Sequence, residues 1–373
     1  MTRVSAPGPV LGLRTLNRAT LARQMLLRRS GMPVTEAVEA LVGLQAQTTH
    51  SWYVGLWTRL EDLAPEAVGG MLEERRLVRV ALMRSTIHLV TAEDCVALRP
   101  LVQPVIERSV RGQFGRRLEG LDREEVTAAA RALVEEQPRT FSALARLLDE
   151  RFPGRDAFAM GQAVRAWIPL VQVPPRGVWG KSGRALHTSV EAWLGRAPSS
   201  GSSLEVLVLR YLAAFGPATV KDIQAWSGLT RLREVIDRLR PRLAAFRDER
   251  GAELFDLPDA PRPDPDTPAP PRFLYDYDNL LLSHADRTRV ITSDYYEQGF
   301  TRDGPMPSIV LLDGFTGATW KIERHRGTAT LTIRPFARLS DKDTDALTEE
   351  GARLLAFVAA DTNTHDIRFA PVT

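Results

Sequence analysis

The clearest apolar pattern in the chain begins at Leu204, where Leu204, Leu207, Tyr211 and Phe215 fall on one helical stripe that Gly216 can terminate. Thr219 and Asp222 then stand at capping-box spacing before an apolar face of Ile223 and Trp226, and Ser227-Gly228 predicts a tight turn. From Thr230 a third helix turns Leu232, Val235, Ile236 and Leu239 inward and leaves Arg231, Arg233, Arg238 and Arg242 outside. Residues 246–257, with Glu249-Arg250-Gly251 at the turn, predict a hairpin. Three helices and a hairpin, with arginines on the third helix, is the order of a winged helix-turn-helix.

The same order recurs more faintly upstream. Helical patterns over 124–136, 140–152 and 161–167 precede strand-like runs at 170–173 and 185–189, with a glycine-rich basic segment, 174–181, between them. At the front, helices over 17–29 and 34–42 precede an extended stretch, a helix near 65–74 and a hairpin over 78–90. The expected fold class is therefore α+β, with a disordered N-terminus (1–12) and three tandem winged helix-turn-helix units over 13–120, 121–197 and 203–258. A proline-rich linker, 259–272, leads into 273–373, where β-rich runs at 290–293, 308–312, 318–322 and 328–333 predict a small C-terminal β-barrel. A helix over 341–359 closes the chain.

At 373 residues, with 44% hydrophobic and 25% charged positions, the composition is that of ordinary globular protein. It holds no apolar run of about eighteen residues and no signal-peptide order at the N-terminus, so we expect a cytoplasmic, nucleoid-associated protein with no membrane partner. Cys95 is the single cysteine and the six histidines are scattered, which excludes a disulfide framework and leaves no metal-ligand spacing. No metal and no cofactor are expected, and Cys95, in an apolar segment, reads as a small buried hydrophobe. The net charge is only +3, yet nearly all basic residues are arginine, which forks onto phosphates and stacks on bases. A GC-rich genome gives the same bias, so this favours nucleic acid only mildly.

Gln45 and Gln47 lie two apart, which puts both amides on the same face of an extended segment. An amide donates and accepts hydrogen bonds but exchanges no proton near neutral pH, so such a pair can position a water and cannot act as a strong base. A purine alkylated at N7 or N3 suits that limit. It is already cationic, its glycosidic bond is weakened, and what remains is to hold water beneath C1′ and stabilise an oxocarbenium-like transition state.

The run Leu41-Val-Gly-Leu-Gln-Ala-Gln47, with Tyr53-Val-Gly-Leu-Trp-Thr-Arg59 after it, resembles the winged-helix DNA glycosylase family of AlkZ and YcaQ. So do Arg84-Ser-Thr-Ile-His-Leu-Val90, Asp278-Asn-Leu-Leu-Leu-Ser-His-Ala-Asp-Arg287, Trp320-Lys-Ile-Glu323 and Arg334-Pro-Phe336, so that the resemblance runs over about 13–369. It implies tandem winged helices and a C-terminal barrel. It also implies duplex DNA containing alkylated purine as the partner and release of alkylated guanines, including bulky antibiotic adducts and interstrand crosslinks, as in antibiotic self-resistance; three units and a barrel in one chain leave no seam for dimerisation, so a monomer is expected. Gln45 and Gln47 inherit the catalytic role; relatives of the YcaQ type carry Gln-x-Asp, which this chain does not. Lysines stand only at 181, 221, 321 and 342, away from the motif, so a Schiff-base lyase step is not expected.

The other candidates divide by position. His50, near the glutamines, and Arg84, in the second matching run, are candidate DNA contacts, whereas His88 and His284 read as hydrogen-bonded packing residues. Arg231, Arg233 and Arg238 either contact phosphate or pack internally. Segment 301–307 reads as a hairpin tip whose Arg302 and Met306 can wedge into a minor groove. Asp276 and Asp278 are the one tempting carboxylate pair, and we read them as the turn that leads into the barrel. The rival function is a non-catalytic winged-helix transcriptional regulator, for which the helix from Thr230 is the working element and the glutamines are incidental.

Overall fold

The computed structural model describes residues 8–199, 201–299 and 306–372. It opens with β1 (Val10–Leu11), α1 (Leu13–Arg23), α2 (Val34–Ala40), β2 (Leu44–Gln45), α3 (Trp52–Trp57), α4 (Pro65–Glu73) and the hairpin of β3 (Leu77–Ala81) and β4 (Ile87–Thr91). Helices α5 (Ala92–Leu98) and α6 (Gln103–Phe114), which the apolar pattern did not single out, lead to α7 (Arg123–Glu136), α8 (Phe141–Arg151) and α9 (Ala157–Trp167). These last three start where Asp122, Thr140 and Asp156 accept hydrogen bonds from first-turn backbone N–H groups. The Asp156 cap is why α9 begins before the expected residue 161.

Strands β5 (Leu170–Gln172) and β6 (His187–Ser189) were expected as a separate hairpin. Instead β5 pairs antiparallel with β3, at Arg79↔Gln172 and Val80↔Val171, giving one sheet in the order β2-β4-β3-β5-β6. The free edge of β3 is covered in this way rather than left to solvent. After α10 (Val190–Leu194) come α11 (Leu204–Phe215), α12 (Val220–Ser227), α13 (Arg233–Leu239) and the hairpin of β7 (Ala244–Asp248) and β8 (Glu253–Asp256). Both halves of the Thr219 and Asp222 capping box form. Helix α13 starts at Arg233 and not at Thr230, because Arg231 has a left-handed backbone (φ 61) that a right-handed helix does not admit. Val10 and Leu11, expected to be disordered, add in parallel to β7, opposite Arg247 and Asp248.

The C-terminal part consists of β9 (Arg272–Leu274), β10 (Ser308–Leu312), β11 (Phe315–His325), β12 (Thr328–Pro335), α14 (Asp341–Val358) and β13 (Thr364–Phe369). It is an open sheet in the order β13-β12-β11-β10-β9, and the expected barrel does not form. The reason lies in the crossover: α14 carries the chain back so that β13 pairs parallel with β12 at the sheet edge, and the helix covers one face. Phe273, Val310, Leu331 and Ile333 meet Leu347, Leu354 and Leu355 of α14 in a core shared with Trp52, Tyr53 and Leu56 of α3. The alternate residues Leu274, Ile309 and Leu311 pack with Leu21 of α1 and with Leu26. Residues 290–293, expected as a strand, join no sheet and run from a turn that ends at Val290 to a helical turn that starts at Ser293; Val290 and Ile291 are buried, and the Val290 carbonyl accepts the Thr316 N–H at 2.9 Å. Among the described residues no helix is long and apolar enough to cross a membrane.

Candidate active site

The glutamine motif sits at the edge of the first sheet. Gly43 makes the turn from α2 into β2 with φ +84, and a β-carbon there would stand 2.9 Å from the Leu89 carbonyl oxygen and 2.6 Å from Val90 Cγ1. The strand then pairs with β4, Leu44 opposite Leu89 and Gln45 opposite His88. The Ala46 N–H continues the ladder to the Ile87 carbonyl at 2.7 Å, and the Ala46 carbonyl accepts Arg79 Nη2 at 2.8 Å. Ala46 is buried, and Gln45 and Gln47 flank it. Gln45 is only 3% exposed, whereas Gln47 is open to solvent and makes no hydrogen bond among the described residues.

Arg84 stands over Gln45. It lies in the turn Met83–Ser85 between β3 and β4, where Arg84 and Ser85 both have left-handed backbone (φ 55 and φ 62). Its Nη2 donates to Gln45 Oε1 at 2.7 Å, its Nη1 donates to the Trp226 carbonyl at the end of α12, and Asn279 lies alongside. A guanidinium has only donors, so Gln45 must turn its carbonyl oxygen toward it and leave its NH₂ group uncommitted. No carboxylate pairs with Arg84 among the described residues. Burial, and next the charge of Arg287, lower its pKa to about 10, so the guanidinium stays charged at neutral pH. The expected DNA contact therefore points into the protein and holds the buried glutamine.

His88, across the ladder from Gln45, is fully buried and its pKa is lowered to about 3, first by burial and then by Arg84. Its Nδ1–H donates to the Thr86 carbonyl at 3.0 Å, which leaves Nε2 as a buried acceptor with no partner among the described residues. His284 packs as expected, with Nδ1 against the Ser283 hydroxyl at 2.8 Å and Nε2 donating to the Phe215 carbonyl at 3.1 Å. Cys95 is buried, and that burial raises its thiol pKa to about 12.

The carboxylate pair is divided between two roles. Asp278 makes a buried two-pronged ion pair with Arg59, at 2.8 and 2.9 Å, and caps the turn at Asn279–Leu282. Asp276 is half-buried: it accepts the Thr48 hydroxyl at Oδ2, while Oδ1 is buried without a partner among the described residues. The Asn279 amide donates to the Gly43 carbonyl at 3.0 Å and so ties this C-terminal segment to the start of the glutamine strand. Sequence reasoning did not select Asn279 or Arg287. Their signal was their place in the long run 278–287; Arg287 is half-buried, and its side chain makes no hydrogen bond or ion pair among the described residues, although its carbonyl accepts the Val290 and Ile291 N–H groups.

The remaining candidates lie apart from Gln45. His50 Nε2–H donates to the Val178 carbonyl at 3.0 Å beside Tyr53 and Trp179, and burial lowers its pKa. It lines a cleft of about 970 Å³ with Val54, Trp179, Lys181, Trp320 and Phe357. Arg233 and Arg238 are exposed on α13 but engage carboxylates, Glu253 at 3.4 Å and Glu205 at 2.8 Å, and Arg231 is exposed without such a partner. Met306 is half-buried ahead of β10, and Arg302 lies outside the described residues.

A family model described as DNA glycosylase AlkZ-like matches residues 38–357. Among solved structures, the Streptomyces sahachiroi DNA glycosylase AlkZ is similar over 97% of this chain and 100% of its own, with a TM-score of 0.75 at 19% sequence identity. That likeness speaks for the fold. No curated protein matches the chain.

Proposed function

Because the chain belongs to the AlkZ-like DNA glycosylase family, and so to the enzymes that hydrolyse N-glycosyl bonds in DNA, we propose that its substrates are cationic alkylated purines, N7-alkylguanines above all. The observation that carries this reading is the company Gln45 keeps. The group bonded to its side chain is Arg84, which keeps its proton, and the residue paired with it across the ladder is His88, which stays neutral down to about pH 3. Neither protonates a leaving base near neutral pH. A base that already carries the positive charge needs no such help, because its N9 leaves with the bonding pair and becomes neutral.

In this reading Arg84 fixes the Gln45 amide, and Gln45 and Gln47 hold the attacking water at the open end of β2. Bulky adducts fit the same arrangement, since Gln47 stands at the surface and not at the bottom of a closed pocket. Arg287 and Arg231, whose side chains form no ion pair among the described residues where Arg233 and Arg238 are paired, are candidates to meet phosphate. The product is an intact abasic site. The test is incubation with duplex carrying 7-methylguanine or a bulky N7-guanine adduct, followed by alkali. Strand breaks that appear only after alkali support the reading, and sequence-selective binding with no base release supports the regulator instead.

A further inference from the structure

Two amides can hold a water, but neither can take its proton, and Gln45 has one acceptor lone pair occupied by Arg84. Hydrolysis by way of these residues therefore lacks a proton acceptor. A carboxylate stands next to them. Thr48, adjacent to Gln47, donates its hydroxyl to Asp276 Oδ2, which tethers the carboxylate to the exposed end of the glutamine strand.

Three features set this carboxylate apart. Its neighbour Asp278 is neutralised by Arg59, yet Asp276 makes no ion pair among the described residues. Its Oδ1 is buried with no hydrogen-bond partner, an arrangement that costs free energy unless a donor arrives. It also shares surroundings with the Gln45 anchor: the buried Tyr275 phenol feels Asp276 as well as Arg84, after the larger effects of burial, Asp278 and Arg59. Ordinary structural duty in a turn explains the Thr48 hydrogen bond. It does not explain an unneutralised carboxylate with an empty oxygen beside a residue pair that cannot accept a proton.

We infer that Asp276 is a catalytic residue, the proton acceptor for the water held by Gln45 and Gln47, and that its negative charge offsets the positive charge developing on the sugar. The inference rests on the glycosylase reading above. The water oxygen bonds to C1′ as the C1′–N9 bond breaks; the electron pair of that bond stays with the alkylated base, which leaves neutral. The water's proton passes to Asp276 and from there to solvent. A carboxylate's terminal torsion is soft, so the uncommitted oxygen can turn toward the water.

The experiment is single-turnover release of 7-methylguanine from duplex DNA by the full chain, with DNA affinity and melting temperature measured on each variant. Asp276→Asn keeps the shape and the acceptor for Thr48 but loses the charge and the base; its rate falls about 100-fold or more, with affinity and melting temperature near wild type. Asp276→Ala is slow as well, and added formate restores part of its rate. Thr48→Val, which frees the carboxylate without removing it, loses far less. Asp276→Asn at the wild-type rate overturns this inference and leaves the glycosylase reading standing; so does a loss that parallels lowered melting temperature and that formate does not relieve. A wild-type protein that releases no base overturns both.

Discussion

Gln45 and Gln47 look equivalent in the sequence, but their surroundings separate them. Gln45 is buried and is the nearer acceptor for a buried guanidinium, so Gln45→Ala leaves Arg84 Nη2 only the 3.5 Å contact with Asn279 and costs about 1–3 kcal/mol of stability in addition to base release. Gln47 is exposed and unbonded, so Gln47→Ala shifts stability by no more than about 0.5 kcal/mol while release falls about 100-fold. Thermal melts alongside single-turnover assays check the contrast; equal destabilisation by the two variants would contradict it. The motif was legible as two amides spaced two apart, a spacing that extended backbone would turn to one face. Which amide is pinned was not legible, because the pinning group, Arg84, lies 39 positions away in a turn whose left-handed backbone no local rule anticipates.

At the scale of elements, the site depends on a strand of two residues kept in register by its neighbours. Gly43 is its hinge: with φ +84 and the Leu89 carbonyl oxygen 2.9 Å from where a β-carbon would sit, Gly43→Ala must push β2 off β4. We expect it to lower stability by more than about 1 kcal/mol and to abolish release, and a fully active Gly43→Ala enzyme would show that register does not matter. Helices were the legible elements where a cap marked the start, as at Thr219 with Asp222 and at Thr140. Strands were less so. Thr364–Phe369 alternates weakly because it is a half-exposed edge strand, and its parallel pairing with β12 is fixed by the helix between them. That pairing, set by a connection and not by any local run, is why a barrel was expected and an open sheet is found.

Across the whole molecule, the site is assembled from segments far apart in sequence, and the buried Arg59–Asp278 pair and the Asn279 bond to Gly43 join the C-terminal sheet to the glutamine strand. Burial of histidines in different parts of this body has a pH consequence. His88 and His187 have pKa values lowered by burial from 6.5 to about 3 and about 4. The unfolded chain takes up these protons below about pH 6.5 and the folded chain does not, so the stability they contribute is full above that pH and is lost as pH falls toward about 3–4. The melting temperature should therefore decline steadily on going from pH 6.5 to 4.5, and a flat profile would contradict the assignment of neutral buried rings.

The central claim is that neither Arg84 nor His88, the groups that hold and pair with Gln45, protonates the leaving base, so the base must bring its own positive charge. The most direct measurement compares, at neutral pH under single-turnover conditions, the release of 7-methylguanine with that of a neutral lesion, O6-methylguanine, from otherwise identical duplexes. We expect release of 7-methylguanine, and loss of that release in Gln47→Ala, with no detectable release of the neutral base. Comparable release of both bases would contradict the claim, because it would require an acid that this site does not supply.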